Sequence, residues 1–222
     1  MKQLALTFPE KKQRGGARVG AGRKRLRGAL SHTPHRAREL HRAAHPVHVT
    51  LRASLRSLRS QRVARVVLGA MRDSNSERFR VTHYSVQDNH VHLLVEAEGK
   101  AELSRGMRGL AVRVAKRVNR LLSRRGRFWA DRWHGHALRS PREVRNALVY
   151  VLQNRAKHAP SKQRAPALDP LSSAEHFDGF ADRVPNAFRS IGPPCVAFAQ
   201  TWLLRVGWKR HGLIRSSEVP KG

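Results

Sequence analysis

Acidic residues are scarce in this chain, and so are cysteines and long apolar runs. Its 222 residues include only 15 Asp plus Glu against 45 Lys plus Arg, which gives a formal net charge of +30. A single cysteine, Cys195, excludes a disulfide framework within the chain and a cysteine-based zinc cluster. No run approaches the roughly 18 apolar residues that a spanning helix needs, and the N-terminal stretch lacks the apolar segment of a signal peptide. We therefore expect a protein of the cytoplasm, associated with the nucleoid.

The excess of basic residues predicts a nucleic acid as the partner, because neutralising many phosphates releases many counterions. Residues 1–45 hold twelve Lys or Arg and a glycine-rich run at 15–25. They contain too few apolar side chains to build a core. We expect this segment to be a flexible basic arm that contacts DNA; the alternative is a solubilising tail. The arm's expected DNA contacts are Arg18, Arg23, Lys24 and Arg25.

The apolar pattern of the remaining chain predicts an α+β fold. Alternation of apolar residues indicates strands, and spacings of three and four indicate helices. Ser140-Pro141-Arg142-Glu143 has the sequence of a helix N-terminal capping box. The predicted order is strand 47–51, helix 55–71, a hairpin of strands 79–86 and 90–97, helix 101–125, strand 134–138 and helix 141–157. We expect a small antiparallel sheet with packed helices as a catalytic domain over 46–158, and a C-terminal extension over 159–222 with a terminal helix at 196–208.

Two histidines stand two residues apart in the second hairpin strand. His90 and His92 share one face of that strand, whereas Val91, Leu93, Val95 and Ala97 form the packed face. Adjacent imidazoles on a rigid strand can chelate one divalent ion. Chance alone predicts roughly one His-x-His triplet in a chain of this composition. A second triplet, His134-Gly135-His136, is interpreted as an ordinary pair on the sheet surface.

Tyr150 lies off the apolar stripe of the last predicted helix. That stripe consists of Val144, Ala147, Leu148, Val151 and Leu152. A phenol flanked by amides and charges can present its hydroxyl and attack a metal-bound phosphodiester, which forms a covalent phosphotyrosine. Asn154, one turn later, could add a carbonyl oxygen to the metal. The alternative is a rim tyrosine that packs its ring under a loop.

Basic and aromatic side chains cluster in and after the helix at 101–125. We expect them to contact DNA, the cations at phosphates and the aromatic rings by stacking on exposed bases. For the aromatic residues Phe128, Trp129 and Trp133, core packing is the alternative. The predicted DNA-binding residues of this region are Arg113, Lys116, Arg117, Arg120, Arg127 and Trp129.

Taken together, these motifs resemble those of the IS200-like single-tyrosine HUH transposases, and more closely those of the REP-associated tyrosine transposases. The likeness rests on the strand 90–95, the basic helix 105–125, Gly126-Arg127-Phe128-Trp129 and the segment 150–154, in matching order and spacing. The resemblance implies a ferredoxin-like fold similar to RNA-recognition modules, Mg²⁺ or Mn²⁺ as cofactor, and single-stranded DNA with a hairpin as substrate.

By the same resemblance, the site residues take defined roles. Tyr150 is the nucleophile, His90 and His92 are metal ligands, and Asn154 is the third ligand. Arg155 stands where members often have proline, so Gln153 is a second choice for that ligand. Cleavage leaves a 5′-phosphotyrosine and a free 3′-hydroxyl that can later rejoin strands. The expected function is therefore that of a transposase, which nicks DNA and transfers strands.

Two other functions share these features. A noncatalytic DNA- or RNA-binding regulator on the same scaffold explains charge and fold equally well, but leaves the histidines and tyrosine unexplained. A replication initiator or relaxase would use the same chemistry, usually in a larger chain. Both a monomer and a homodimer remain open.

Overall fold

The computed structural model describes residues 40–158, 168–182 and 194–220. The chain divides after His32, and every described residue belongs to the part that follows. The four predicted DNA contacts of the arm, Arg18, Arg23, Lys24 and Arg25, therefore lie outside the described residues, as do parts of the C-terminal extension. Within the described ranges, no helix is long and apolar enough to cross a membrane.

Four antiparallel strands form one sheet, with β2 and β3 as the predicted hairpin and the short β4 at the other edge. The strand order across the sheet is β2-β3-β1-β4. The central pair, β1 and β3, sets Val49 opposite Leu93 and Thr50 opposite His92. The strands are β1 (Val47–Arg52), β2 (Phe79–Val86), β3 (His90–Ala97) and β4 (His134–Ala137). The predicted α+β class is confirmed.

The helices form a layer on each side of this sheet. Valine and leucine side chains on one face of β1 and β3 pack with the buried stripes of α1 and α2 in a first core cluster. On the opposite face, Leu94 packs with α3, α4 and C-terminal residues in a second core cluster. The helices are α1 (Gln61–Arg72), α2 (Lys100–Leu121), α3 (Pro141–His158) and α4 (Trp202–Arg205), with 3-10 turns at Ser173–His176 and Gly207–His211.

Strand β3 is therefore buried on both faces. Val91, Leu93 and Val95 point to the α1 and α2 side, as the alternation predicts, while Leu94 and Glu96 on the other face are also fully buried. A strand covered on both sides cannot slip in register without exposing apolar groups or burying charge. His90 and His92 consequently occupy fixed positions.

Three predicted helix boundaries are wrong. Helix α2 ends at Leu121, not at residue 125, because Leu122 leaves the helical conformation and Ser123 has a positive φ. The first helix begins at Gln61, not near Leu55, because Ser60 is in an extended N-cap conformation and Leu58 enters the core from a loop, where its amide donates to the carbonyl of Asp88. The predicted helix at 196–208 is reduced to α4 followed by a 3-10 turn. Residues 194–200 have no regular secondary structure, and the amide of Ala197 donates to the carbonyl of Val81 on the edge strand β2.

A buried carboxylate fixes this C-terminal segment to the sheet. Glu96, with no exposed surface, accepts hydrogen bonds from the amide of Gln200 at 2.8 Å and from the amide and hydroxyl of Thr201 at 2.9 and 2.8 Å. Arg80 lies 3.3 Å from the same carboxylate. Thr201 in turn caps α4, since its hydroxyl accepts from the amide of Leu204. The segment that covers α3 is thus attached directly to the strand that carries the histidines.

Candidate active site

Tyr150 and the histidines of the sheet meet in one aromatic cluster. The phenol ring of Tyr150 lies with its centroid 4.9 Å from that of His92 and 5.6 Å from that of His48, edge-on in both cases. His90 stands next to His92, with ring centroids 4.7 Å apart. The three residues predicted from the sequence, Tyr150, His90 and His92, are therefore brought together, and His48 of β1 joins them.

The position of Tyr150 follows from the start of α3. The predicted capping box is formed: the amide of Glu143 donates to the Ser140 hydroxyl, and the amide of Ser140 donates to the Glu143 carboxylate. The cap fixes where the helix begins, and the buried stripe from Val144 to Leu152 fixes its rotation. Tyr150 remains half-buried, on the side of α3 that faces His48 and His92.

Each histidine of β3 has one ring nitrogen at hydrogen-bond distance from a neighbour. Nδ1 of His90 lies 2.9 Å from Oδ1 of Asn89, and Nδ1 of His92 lies 3.1 Å from the hydroxyl of Thr50 and 3.3 Å from Nε2 of His48. Histidines that bind metals commonly donate from the second nitrogen to such a partner, which fixes the ring and its tautomer. In that tautomer Nε2 of each ring has the lone pair that can ligate a cation.

His48 and Thr50 were not identified as site residues from the sequence. Burial and, to a smaller extent, the nearby His136 lower the pKa of His48 to about 4. His48 is therefore neutral near pH 7. The alternation of β1 puts Val47, Val49 and Leu51 on the packed face, so His48 and Thr50 lie on the other face. The sequence does not show that β1 pairs with β3, and therefore it does not place these two residues beside His92.

The second histidine pair lies on the same face of the sheet, separated from the first pair by strand β1. In β4, His136 is opposite His48 and His134 is opposite Thr50, and both side chains are exposed. Strand β1 stands between β4 and β3, so two strand spacings, about 10 Å, separate this pair from His90 and His92. That distance favours the interpretation of His134 and His136 as a surface pair.

The residues present are suited to hold a divalent cation. Asn154 follows Tyr150 by four residues, just past a kink of α3 at Gln153. It is completely buried, and neither polar atom of its amide has a hydrogen-bond partner among the described residues. A buried amide without a partner is costly, and coordination of its oxygen would offset that cost. Gln153, the second choice, donates from its amide nitrogen to the carbonyl of Arg215, whereas its amide oxygen, like that of Asn154, is buried without a partner among the described residues. Across 40–158, 168–182 and 194–220 no three His, Cys, Asp or Glu side chains form a metal cluster.

The predicted DNA-binding residues of α2 lie across the sheet from the tyrosine, because α2 packs on the other face. Two of them have partners near the end of α1: Arg117 forms an ion pair with Asp73 at 2.7 Å, and Arg113 donates to the Ser74 hydroxyl. Lys116 and Arg120 are exposed.

The loop after α2 has mainly packed aromatic side chains. Phe128 is 2% exposed and cannot stack on a base. Trp129 is partly buried, and its indole donates to the carbonyl of Ala111 in α2. Arg127 is exposed, although it donates to the carbonyl of Trp129. Trp133 packs partly against the core. DNA contacts by Arg127 and Trp129 stay predictions.

Comparisons with known proteins point to one family and one fold. Residues 45–153 match the family described as transposase, IS200-like. Among solved structures, the chain is similar to a REP-associated tyrosine transposase bound to a REP hairpin, at 18% sequence identity and a TM-score of 0.52. The similarity covers 75% of this chain and 96% of that one. No curated protein sequence matches the chain.

Proposed function

Residues 45–153 belong to the IS200-like transposase family, and from that premise we propose that the chain is a metal-dependent endonuclease and strand-transfer enzyme that acts on single-stranded DNA near hairpins. The observation that carries the proposal is the contact between Tyr150 and His92, which joins α3 to the strand that carries both predicted metal ligands. Such contact is what a tyrosine needs in order to reach a phosphate bound beside those ligands.

In this proposal Tyr150 is the nucleophile. Its phenolic oxygen attacks the scissile phosphorus and loses its proton to solvent, and the bond between phosphorus and the 3′-oxygen breaks. The products are a 5′-phosphotyrosine and a strand that ends in a 3′-hydroxyl. The reverse attack, by a 3′-hydroxyl on the phosphotyrosine, rejoins strands and frees the enzyme. A phenol has an ordinary pKa near 10, so the step depends on stabilising charge at the phosphate.

His90 and His92 would hold Mg²⁺ or Mn²⁺ through Nε2, with Asn154 as the third ligand. When bound, the cation polarises the phosphate and partly neutralises its charge. Thr50 and Asn89 orient the two imidazoles through their contacts with Nδ1 of His92 and Nδ1 of His90, respectively. The ring of Tyr150 packs against His92, and in this proposal its hydroxyl reaches the phosphate that is bound at the same site.

The DNA substrate is proposed from charge and from the similar structure. With a net charge of +30, the chain favours a polyanion, and the REP-associated transposase to which its fold is similar was solved bound to a REP hairpin. We assign this chain to the same REP-associated group. Lys116 and Arg120 are exposed and can contact phosphates directly, whereas Arg113 and Arg117 must exchange their present partners to do so.

The test is cleavage of an end-labelled hairpin with single-stranded flanks, with and without Mg²⁺. The wild-type chain should cut only with the cation and should leave a protein-linked DNA fragment. Tyr150→Phe should lower cleavage by at least about a thousandfold but retain hairpin binding. Binding without any metal-dependent cleavage by the wild type would favour the noncatalytic regulator instead.

A further inference from the structure

A cavity of about 660 Å³ lies beside the tyrosine, and neither His90 nor His92 lines it. Tyr150 and His48 form part of its wall, and so do the first turns of α3. His211 and residues 218–220 also line it. Residues 218–220 are part of the C-terminal strap, by which we mean residues 212–220. The volume falls within the range of cavities that bind small molecules, about 300–1,000 Å³.

The strap is held over this cavity by one arginine. Arg145 of α3 donates two hydrogen bonds to the carboxylate of Glu218, at 2.7 and 2.9 Å, and two more to the carbonyls of Gly212 and Leu213. A paired arginine of this kind is a rigid clamp, since its planar fork fits the carboxylate. The cavity is therefore a fixed feature of the fold.

The free charge at the cavity is positive. Its two carboxylates are both engaged, because Glu143 accepts from the backbone at the start of α3 and Glu218 is paired with Arg145. Arg142 is exposed at the wall and has no ion-pair partner within the described part of the chain. An anion that enters would find Arg142 available.

The rest of the wall suits a flat, partly apolar group. Leu138, Ala147 and Val149 contribute buried apolar surface, and Tyr150 contributes an aromatic ring. Asn146, which is exposed on α3, adds an amide that can both donate and accept. Apolar and aromatic walls with one amide and one cation match the chemistry of a nucleotide: a base to stack, polar edges to read, and a phosphate to neutralise.

We propose that this cavity receives one unpaired nucleotide that adjoins the scissile phosphate, with Asn146 at the edge of the base and Arg142 at a phosphate. The proposal rests on the proposed function, which puts the scissile phosphate beside Tyr150. It adds a second recognition element to the hairpin, because the enzyme would select its cutting position by the base that the cavity accepts.

The test uses binding, so that it does not depend on cleavage. In the Tyr150→Phe background, hairpins carry the fluorescent base 2-aminopurine at one flanking position at a time. Fluorescence should change at one position, and Asn146→Ala should abolish that change. Arg142→Ala should weaken binding of flanked hairpins about tenfold and leave hairpins without flanks unaffected. Arg155→Ala, an exposed cation of α3 outside the cavity, is the matched control and should have no effect.

Two results would overturn the proposal: no flanking position that responds, or a response that Asn146→Ala leaves intact. The proposed function is tested in parallel by the covalent adduct of the wild-type chain with the same DNA. A position-specific response without an adduct would retain the nucleotide site and reject the nuclease. An adduct without a position-specific fluorescence response would retain the nuclease and reject the nucleotide site.

Discussion

The phenol ring of Tyr150 packs edge-on against the imidazole of His92, with ring centroids 4.9 Å apart and planes at 88°. The two residues are 58 positions apart in sequence and belong to different layers of the fold. Their contact depends on the capping box that begins α3, on the strand register that fixes His92, and on the hydroxyl of Thr50 behind that imidazole. Each of these supports can be tested separately.

Thr50→Val should weaken metal binding without unfolding the protein. Valine retains the shape of threonine but removes the hydroxyl that lies 3.1 Å from Nδ1 of His92. Loss of such a partner typically lowers metal affinity by about 10- to 100-fold. The measurement is calorimetric titration with Mn²⁺. Thr50→Ser, which retains the hydroxyl, is the control, and equal losses in both variants would show that the hydroxyl has no such role.

Asn154→Leu should separate metal binding from stability. The amide of Asn154 is buried without a partner, so an apolar side chain of similar volume should raise the free energy of unfolding of the metal-free protein by about 1–2 kcal/mol. Mn²⁺ affinity and cleavage should fall together. Chemical denaturation measures the first effect, and titration measures the second.

Asn75→Leu is the contrasting variant. Its amide donates to the carbonyl of Cys195 and accepts from the amide of Val81, so the same substitution should lower stability by about 1–3 kcal/mol. If Asn154→Leu proved as destabilising as Asn75→Leu, the unpartnered amide would not be the feature that the metal uses.

Glu96→Gln should destabilise the protein strongly. The substitution leaves Arg80 without its buried counter-charge and disturbs the anchor of Gln200 and Thr201. Breaking a buried pair on one side typically costs about 3–5 kcal/mol. Glu98→Gln, which affects an exposed pair with Arg78 at 3.6 Å, should cost less than about 1 kcal/mol. The measurement is urea denaturation of both variants. Equal unfolding midpoints would contradict the role of Glu96 as a buried counter-charge and anchor.

Local patterns were sufficient to predict the strand of the two histidines, the cap of α3 and the orientation of Tyr150. These features depend on residues within a few positions of one another, where strand and helix periodicities apply. The same periodicity gave a wrong start for α1 at Leu55 and Leu58, because apolar side chains can enter a core from a loop at helical spacing by coincidence.

The remaining features depend on contacts that are distant in sequence. Thr50 and His48 enter the site only through the pairing of β1 with β3, and the cavity exists only because Arg145 holds a strap some seventy residues away. The burial of Glu96 likewise requires a C-terminal segment that supplies donors to it. Periodicity within one element carries no information on such partners.

The central claim is that Tyr150 forms the covalent link to DNA, and mapping of the DNA-linked peptide tests it most directly. The wild-type chain is incubated with Mg²⁺ and a hairpin that carries single-stranded flanks, digested with protease, and the DNA-bound peptide is identified by mass spectrometry. We predict a peptide from α3 with the 5′-phosphate attached to Tyr150. A linked peptide that lacks Tyr150, or an undiminished adduct in Tyr150→Phe, would contradict the account.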